Sequence, residues 1–291
     1  MIVGAGDIGG ALARQLAAID VVNRIVIVDD LANVAAGKAL DVAQSAPVDR
    51  YYTVMSGTAD VAAVIGAVAV IIADGAAPGP APRGLGAVGW NPVTEWKDEG
   101  GLALVRRVAG LNQHAPIICA GASQASLVER GVNELGISRM RLFGSAPEAL
   151  RSAITAMVSL EAGAAPQDIS LSVLGRPAQQ IIVPWDEASI AGRSATEVLS
   201  AAQLARLDAR IARLWPPGPY ALGGAAARLV RTALTRAPRV HAALVAVTRD
   251  EGSPGRSAMM PVTLAPTGIA TLVTPALSSR DRVRFETTMR T

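Results

Sequence analysis

The chain has 291 residues, 51% of them apolar and 18% charged, with a net charge of +3. That is the composition of a well-packed globule of one large or two modest domains, and it excludes a disordered chain. The basic residues are nearly all Arg, with Lys38 and Lys97 the only lysines. They are spread along a chain with 3% aromatics, which excludes a nucleic-acid-binding surface.

Met1–Val3 is a short apolar strand that reads straight into a glycine-rich turn, with no basic-then-apolar leader. So short a strand is either frayed or the remnant of one whose true start lies upstream. In "MIVGAGDIGGALARQLAAID" an amphipathic helix follows the turn, and Gly4, Gly6 and Gly9 keep the G-x-G-x-x-G spacing. The first glycine of that motif makes the tight turn, and the second lets the backbone approach a pyrophosphate. The third lets helix and strand pack closely, with the phosphates at the helix N-terminus beside Asp7 and Ile8. A second strand, "RIVIVDD", ends in Asp29, twenty residues past Gly9. An acid at that distance accepts hydrogen bonds from a ribose diol and favours NAD over NADP.

The longest apolar run lies between Asp60 and Asp74. It is too short to span a bilayer and is interrupted by Gly66, so no membrane segment is expected. The strand "VAVIIADGAAP" closes this run at a turn around Gly75 and Ala76, which extends the cofactor site. Ala77–Gly101 is rich in Gly and Pro and without periodicity, as in a lid, a binding loop or an insertion. It carries Arg83, Trp90, Trp96 and Lys97. "APIICAGASQ" is a further strand, and this alternation predicts an α/β Rossmann-type doubly wound parallel sheet over residues 1–143. Cys119, the one cysteine, excludes an internal disulfide framework and fits a reducing cytoplasm.

Residues 144–291 read as a mixed α+β substrate domain. A helix over Pro147–Ala162 opens it, with "SAPE" fitting a capping box from Ser145 to Glu148. Strands follow at Ile169–Leu174 and Gln180–Val183, then helices over Ala195–Leu214 and Gly223–Thr235. "RVHAALVAV" and "MMPVTLAPTGIATLVTP" close the pattern as strands. His114 fits a surface loop on the far side of the sheet, and His241 fits packing in or beside a strand. Trp185 fits packing beneath this domain, and no His or Cys cluster supports a metal site.

Over nearly its whole length the chain resembles the NAD-dependent malate/lactate dehydrogenase family. The likeness rests on "GAGDIGGALA", "IVDDLANVAAGKALDVAQSAPV", "LEAGAAPQDI", "PWDEASIAG", "APRVHAALV" and "MPVTLAPTGIATLVTPALSSRDR", in that order. It implies NAD as cofactor and hydride exchange with a 2-hydroxy acid. It also implies oligomers of two or four subunits, whether of one chain or in a hetero-oligomer.

The family's chemistry needs a His base, an Asp that orients it, an Arg that grips the substrate carboxylate, and a loop Arg. An Asn after a strand helps orient the reacting oxygen. Counted without gaps, Pro177 stands at the His position, within Gly175–Arg176–Pro177–Ala178–Gln179. Leu150 stands at the Asp, Ala153 at the gripping Arg, Gly101 at the loop Arg and Ala122 at the Asn. No catalytic residue of the family is matched, which predicts no turnover of malate or lactate. Glu148 and Arg151 keep the Asp-to-Arg spacing but are shifted by two residues, and the capping box accounts for Glu148 better. Three functions follow: an NAD(H)-binding pseudoenzyme that acts through binding, as a regulatory or hetero-oligomeric partner; an oxidoreductase rebuilt around Arg83, Lys97, Arg151, Arg176 or Gln179; or a chain that folds and binds nothing. The intact glycine pattern with Asp29 counts against the third.

Overall fold

A computed structural model of the chain describes residues 1–75, 96–121, 123–176, 180–248 and 255–290. The first half runs β1 (Ile2–Val3), α1 (Asp7–Ile19), β2 (Arg24–Val28), α2 (Ala32–Gln44), α3 (Ala46–Asp49), β3 (Val54–Thr58) and β4 (Val70–Ile72). Further along the chain come α4 (Asp98–Leu111), β5 (Ile117–Cys119), α5 (Gln124–Asn133) and β6 (Leu142–Gly144). All six strands pair in parallel in the order β3-β2-β1-β4-β5-β6. Buried on both faces, β4 and β5 are continuous apolar runs, as strands covered by helices on two sides must be. This is the doubly wound Rossmann-type order, and its reversal between β1 and β4 opens a crevice at the carboxyl ends of the strands.

The second half contains α6 (Ala146–Ala162), β7 (Ile169–Ser170), β8 (Leu174–Arg176), β9 (Gln180–Ile182), β10 (Ser189–Ile190) and β11 (Arg193–Ser194). It continues with α7 (Ala195–Val198), α8 (Ala201–Ile211), α9 (Pro219–Thr235), β12 (His241–Val247), β13 (Arg256–Ala265), β14 (Gly268–Leu272) and α10 (Ser279–Arg290). Its strands extend the parallel sheet. β12 pairs antiparallel with β6, and β13, β8 and β9 follow, so that eleven strands form one sheet with β14 on β13. Gly144, Leu244, Met259 and Gly175 lie in one row across it. β7, β10 and β11 make a separate small antiparallel sheet.

The helix expected over 195–214 is two helices, because Ser200 begins a new one. Its Oγ accepts the Gln203 amide, and the Gln203 side chain returns to the Ser200 amide. The apolar run after Met259 folds back as a hairpin, β13 onto β14. The expected loop 77–101 ends earlier than its composition suggests, since Asp98–Gly101 form the first turn of α4. The division expected after Phe143 falls inside β6. One apolar cluster crosses it, joining Ile8, Leu12 and Leu16 of α1 to Leu222, Ala226 and Leu229 of α9.

Candidate functional site

The crevice is built from the residues that leave β1, β2 and β4. Gly4 follows β1 with φ +113°, in the region that favours glycine, and a Cβ there would stand 2.2 Å from the carbonyl oxygen of Asp74. Its amide donates to the Val28 carbonyl at 2.7 Å, and the Gly6 amide donates to the Asp74 carbonyl at 3.0 Å. Gly9 lets α1 close on the strand, for a Cβ there would lie 2.0 Å from the Gly4 carbonyl oxygen. Asp7 is exposed at the first position of α1, while Ile8 is buried beneath it. Lys38 of α2 crosses Gly10, its Nζ 3.3 Å from where a Cβ would stand.

Asp29 follows β2 and is buried against the glycine turn. Its Oδ2 accepts the Ala5 amide at 2.8 Å and its Oδ1 the Leu31 amide at 3.0 Å. Gly75 is buried after β4, and Ala76 lies outside the described residues. Sequence reasoning missed Asp74. Its carboxylate accepts the Ile8 amide at 3.1 Å and the Gly9 amide at 2.9 Å. The signal was there: a lone acid ending an all-apolar strand, next to the glycine turn.

At the positions to which the resemblance, counted without gaps, assigns catalysis, the described residues are apolar. Leu150 is fully buried in a cluster with Ile154, Val173, Leu244 and Met259. Ala153 lies half-buried on α6. Gly101, expected on a loop, is buried inside α4, where a Cβ would lie 2.7 Å from Leu127 Cδ2 and 2.9 Å from the Trp96 carbonyl carbon. Ala122, Pro177, Ala178 and Gln179 lie outside the described residues, as do Arg83 and Trp90. Arg176 is largely buried beside Glu129, 3.8 Å away. Lys97 precedes α4 and is exposed.

Glu148 corrects the expected capping box. Ser145 makes no side-chain cap bond, and Glu148 turns inward rather than back along the helix. Its carboxylate accepts both Arg151 Nε at 3.0 Å and a terminal Arg151 nitrogen at 2.6 Å. It also accepts the Ala242 amide at 3.0 Å, lies 3.1 Å from His241 Nδ1, and has Arg228 at 3.4 Å. His241 Nε2 meets Thr232 Oγ1 at 2.9 Å. Burial alone pushes the Glu148 carboxyl up, but the bonds from His241 and Arg151 outweigh it and hold the group at about 2. This is a buried ionic knot joining α6, α9 and β12. His241 is thus buried at the start of its strand, His114 is exposed ahead of β5, and Trp185 is buried with Nε1 donating to Asp208 at 3.0 Å.

Strand order and glycine turn define a Rossmann-type α/β protein with a nucleotide-type crevice. No family model matches the chain. It is 26% identical to a malate dehydrogenase of Thermomicrobium roseum over 97% of this chain and 91% of that one. It is 23% identical to the malate dehydrogenase of Sulfurimonas denitrificans, over 98% and 90%. Among solved structures, the malate dehydrogenase of Aeropyrum pernix superposes with a TM-score of 0.82 at 15% identity, over 99% of this chain and 94% of that one. A lactate dehydrogenase of Cryptosporidium parvum, complexed with lactic acid and nicotinamide adenine dinucleotide, superposes at 0.81 with 17% identity, over 99% and 93%. The chain is thus similar over nearly its whole length to malate dehydrogenases, and it shares the fold of the malate/lactate dehydrogenase family.

Proposed function

We propose that the chain is an NAD(H)-binding member of this family that does not turn over malate or lactate. The observation that carries the cofactor is the glycine cradle at the β1–β4 reversal, with Asp29 buried against it. The residues fit the group: Gly4 and Gly9 let strand, turn and helix close up, Gly6 puts no side chain of its own at the start of α1, and Asp7, Ile8 and Gly75 border the turn. In this reading Asp29, buried at the end of β2, accepts the hydroxyls of the adenosine ribose. Bound NAD supplies a hydride acceptor, and NADH a hydride donor.

Loss of turnover follows from Leu150 and Ala153. A carboxylate that orients a His and an Arg that grips a substrate carboxylate have no counterpart there. Each charge-assisted bond of that kind is worth roughly 1.5–3 kcal/mol. A positioned acid–base group contributes about 10²–10⁴ in rate, and Pro177 brings none. A cytoplasmic protein assembled as a dimer or tetramer, with itself or with an active relative, fits this reading. Residues 1–143 then serve as the cofactor-binding half and 144–291 as the altered substrate half.

A second reading, an oxidoreductase rebuilt for a different 2-hydroxy acid or alcohol, is favoured by Arg176. One of its buried guanidinium nitrogens has no hydrogen-bond partner among the described residues. Calorimetry with NAD and NADP, on wild type and Asp29→Ala, tests the cofactor assignment. NAD should bind more tightly to wild type, and the preference should vanish in the variant. The same preparation should give no NAD reduction with L-malate or L-lactate. Equal affinity for both cofactors defeats the role of Asp29, turnover of malate or lactate defeats the proposal of inactivity, and NAD reduction by another alcohol favours the second reading.

A further inference from the structure

The anion position at the start of α1 already holds an anion of the protein's own. α1 is thirteen residues long, and its N-cap, Gly6, has no side chain with which to cap it. The Ile8 and Gly9 amides donate instead to the two oxygens of Asp74, more than sixty residues away in the chain. The missing Cβ of Gly6 makes this possible, since one there would stand 2.5 Å from Asp74 Cγ and Oδ2. The gap that the sequence motif reserves for a diphosphate is therefore filled by a carboxylate. Two anions cannot share the same two amides: their mutual repulsion adds to the loss of the bonds.

Resting on the NAD(H) reading above, we propose that Asp74 is a specificity-determining residue of the cradle, a built-in competitor that weakens every ligand carrying a diphosphate. Such a ligand binds only after the Asp74 side chain rotates out. The Asp74 main chain stays, held by its carbonyl on the Gly6 amide. Ligands that use only the adenosine side of the crevice, by Asp29, do not meet this barrier. The carboxylate thus stabilises the empty fold and opposes the occupied one.

The test is calorimetric titration of wild type, Asp74→Ala and Asp74→Asn with NAD, ADP-ribose and adenosine at low ionic strength, alongside thermal melting. Asp74→Ala should tighten NAD and ADP-ribose at least tenfold, about 1.4 kcal/mol, while lowering the melting temperature. Asp74→Asn, which keeps an acceptor but loses the charge, should fall between. Adenosine affinity should not change. A residue with a merely structural role would weaken binding and stability together, so opposite signs support the proposal. Binding that appears only in the variants also supports it. Wild-type NAD binding that the variants leave unchanged or weaken overturns the role of Asp74 and leaves the NAD(H) reading standing. Equal tightening of adenosine overturns the proposal as well, and absence of NAD binding in all three proteins overturns both.

Discussion

Glu148 keeps a negative charge in a place almost closed to water, and it does so because four partners converge on it. Its two oxygens meet Arg151, His241, Arg228 and the Ala242 amide. Removing one member of such a group strands the others, which costs about 3–5 kcal/mol in buried pairs. Glu148→Ala should therefore destabilise the fold by roughly that much. Glu148→Gln should cost less, because it keeps an acceptor for the Ala242 amide. The same carboxyl makes acid stability predictable. Its folded value of about 2 lies below the ordinary 4.5, so its stabilisation is complete above about pH 4.5. It drains away as pH falls towards 2, and amounts to about 3 kcal/mol in all. Denaturant titrations between pH 6 and 2.5 should register this loss in wild type. In Glu148→Gln the acid-dependent part should be smaller by that amount, and an unchanged pH profile would contradict the assignment.

At the scale of elements, what could be read from the sequence divides by how local its cause is. α1, β2 and the glycine turn were legible because a periodic apolar face and three spaced glycines sit within twenty residues. So were β4 and β5, as short apolar runs between turns. Glu148 was misread because a capping box and an inward ion pair have the same local sequence. The choice between them is made by His241 and Arg228, far away in the chain. Asp74 was missed for the same reason, since its partners belong to α1. Gly101 shows the limit most concretely. Counting along the chain places it on the family's mobile loop, yet it is packed in the first turn of α4. Gly101→Arg should therefore cost about 1–3 kcal/mol by overpacking against Leu127 and the Trp96 backbone, and it should not confer malate turnover. The neighbouring Gly100 provides the control, for a Cβ there meets nothing within 4 Å. Gly100→Ala should be neutral or raise stability slightly through helix propensity. Melting curves of the two variants separate the cases: equal tolerance at both positions would mean that α4 begins later than Asp98.

The whole molecule is held by features that ignore the midpoint of the chain. β6 carries β5 on one side and β12 on the other, so the parallel and antiparallel parts of the sheet share a strand. α9, from the second half, lies on α1, the helix that forms the nucleotide crevice. A unit built this way should open as one. Cooperative units in folded proteins correspond to contiguous packed groups, and amide exchange reports the free energy of each. In native-state exchange under rising urea, the slowest amides of β2 and β5 should converge with those of β12 and β13 on a single opening free energy. The short outer sheet of β7, β10 and β11 should exchange earlier, because its strands are two residues long. If β12 and β13 instead opened at clearly lower urea than β2 and β5, the two halves would be independent folding units. The contacts of α9 on α1 would then be a docking interface and not a shared core. Under that outcome, mutations in the second half, Glu148→Ala among them, would leave the cofactor crevice intact. Under the outcome expected here they weaken it, since unfolding one half removes the other.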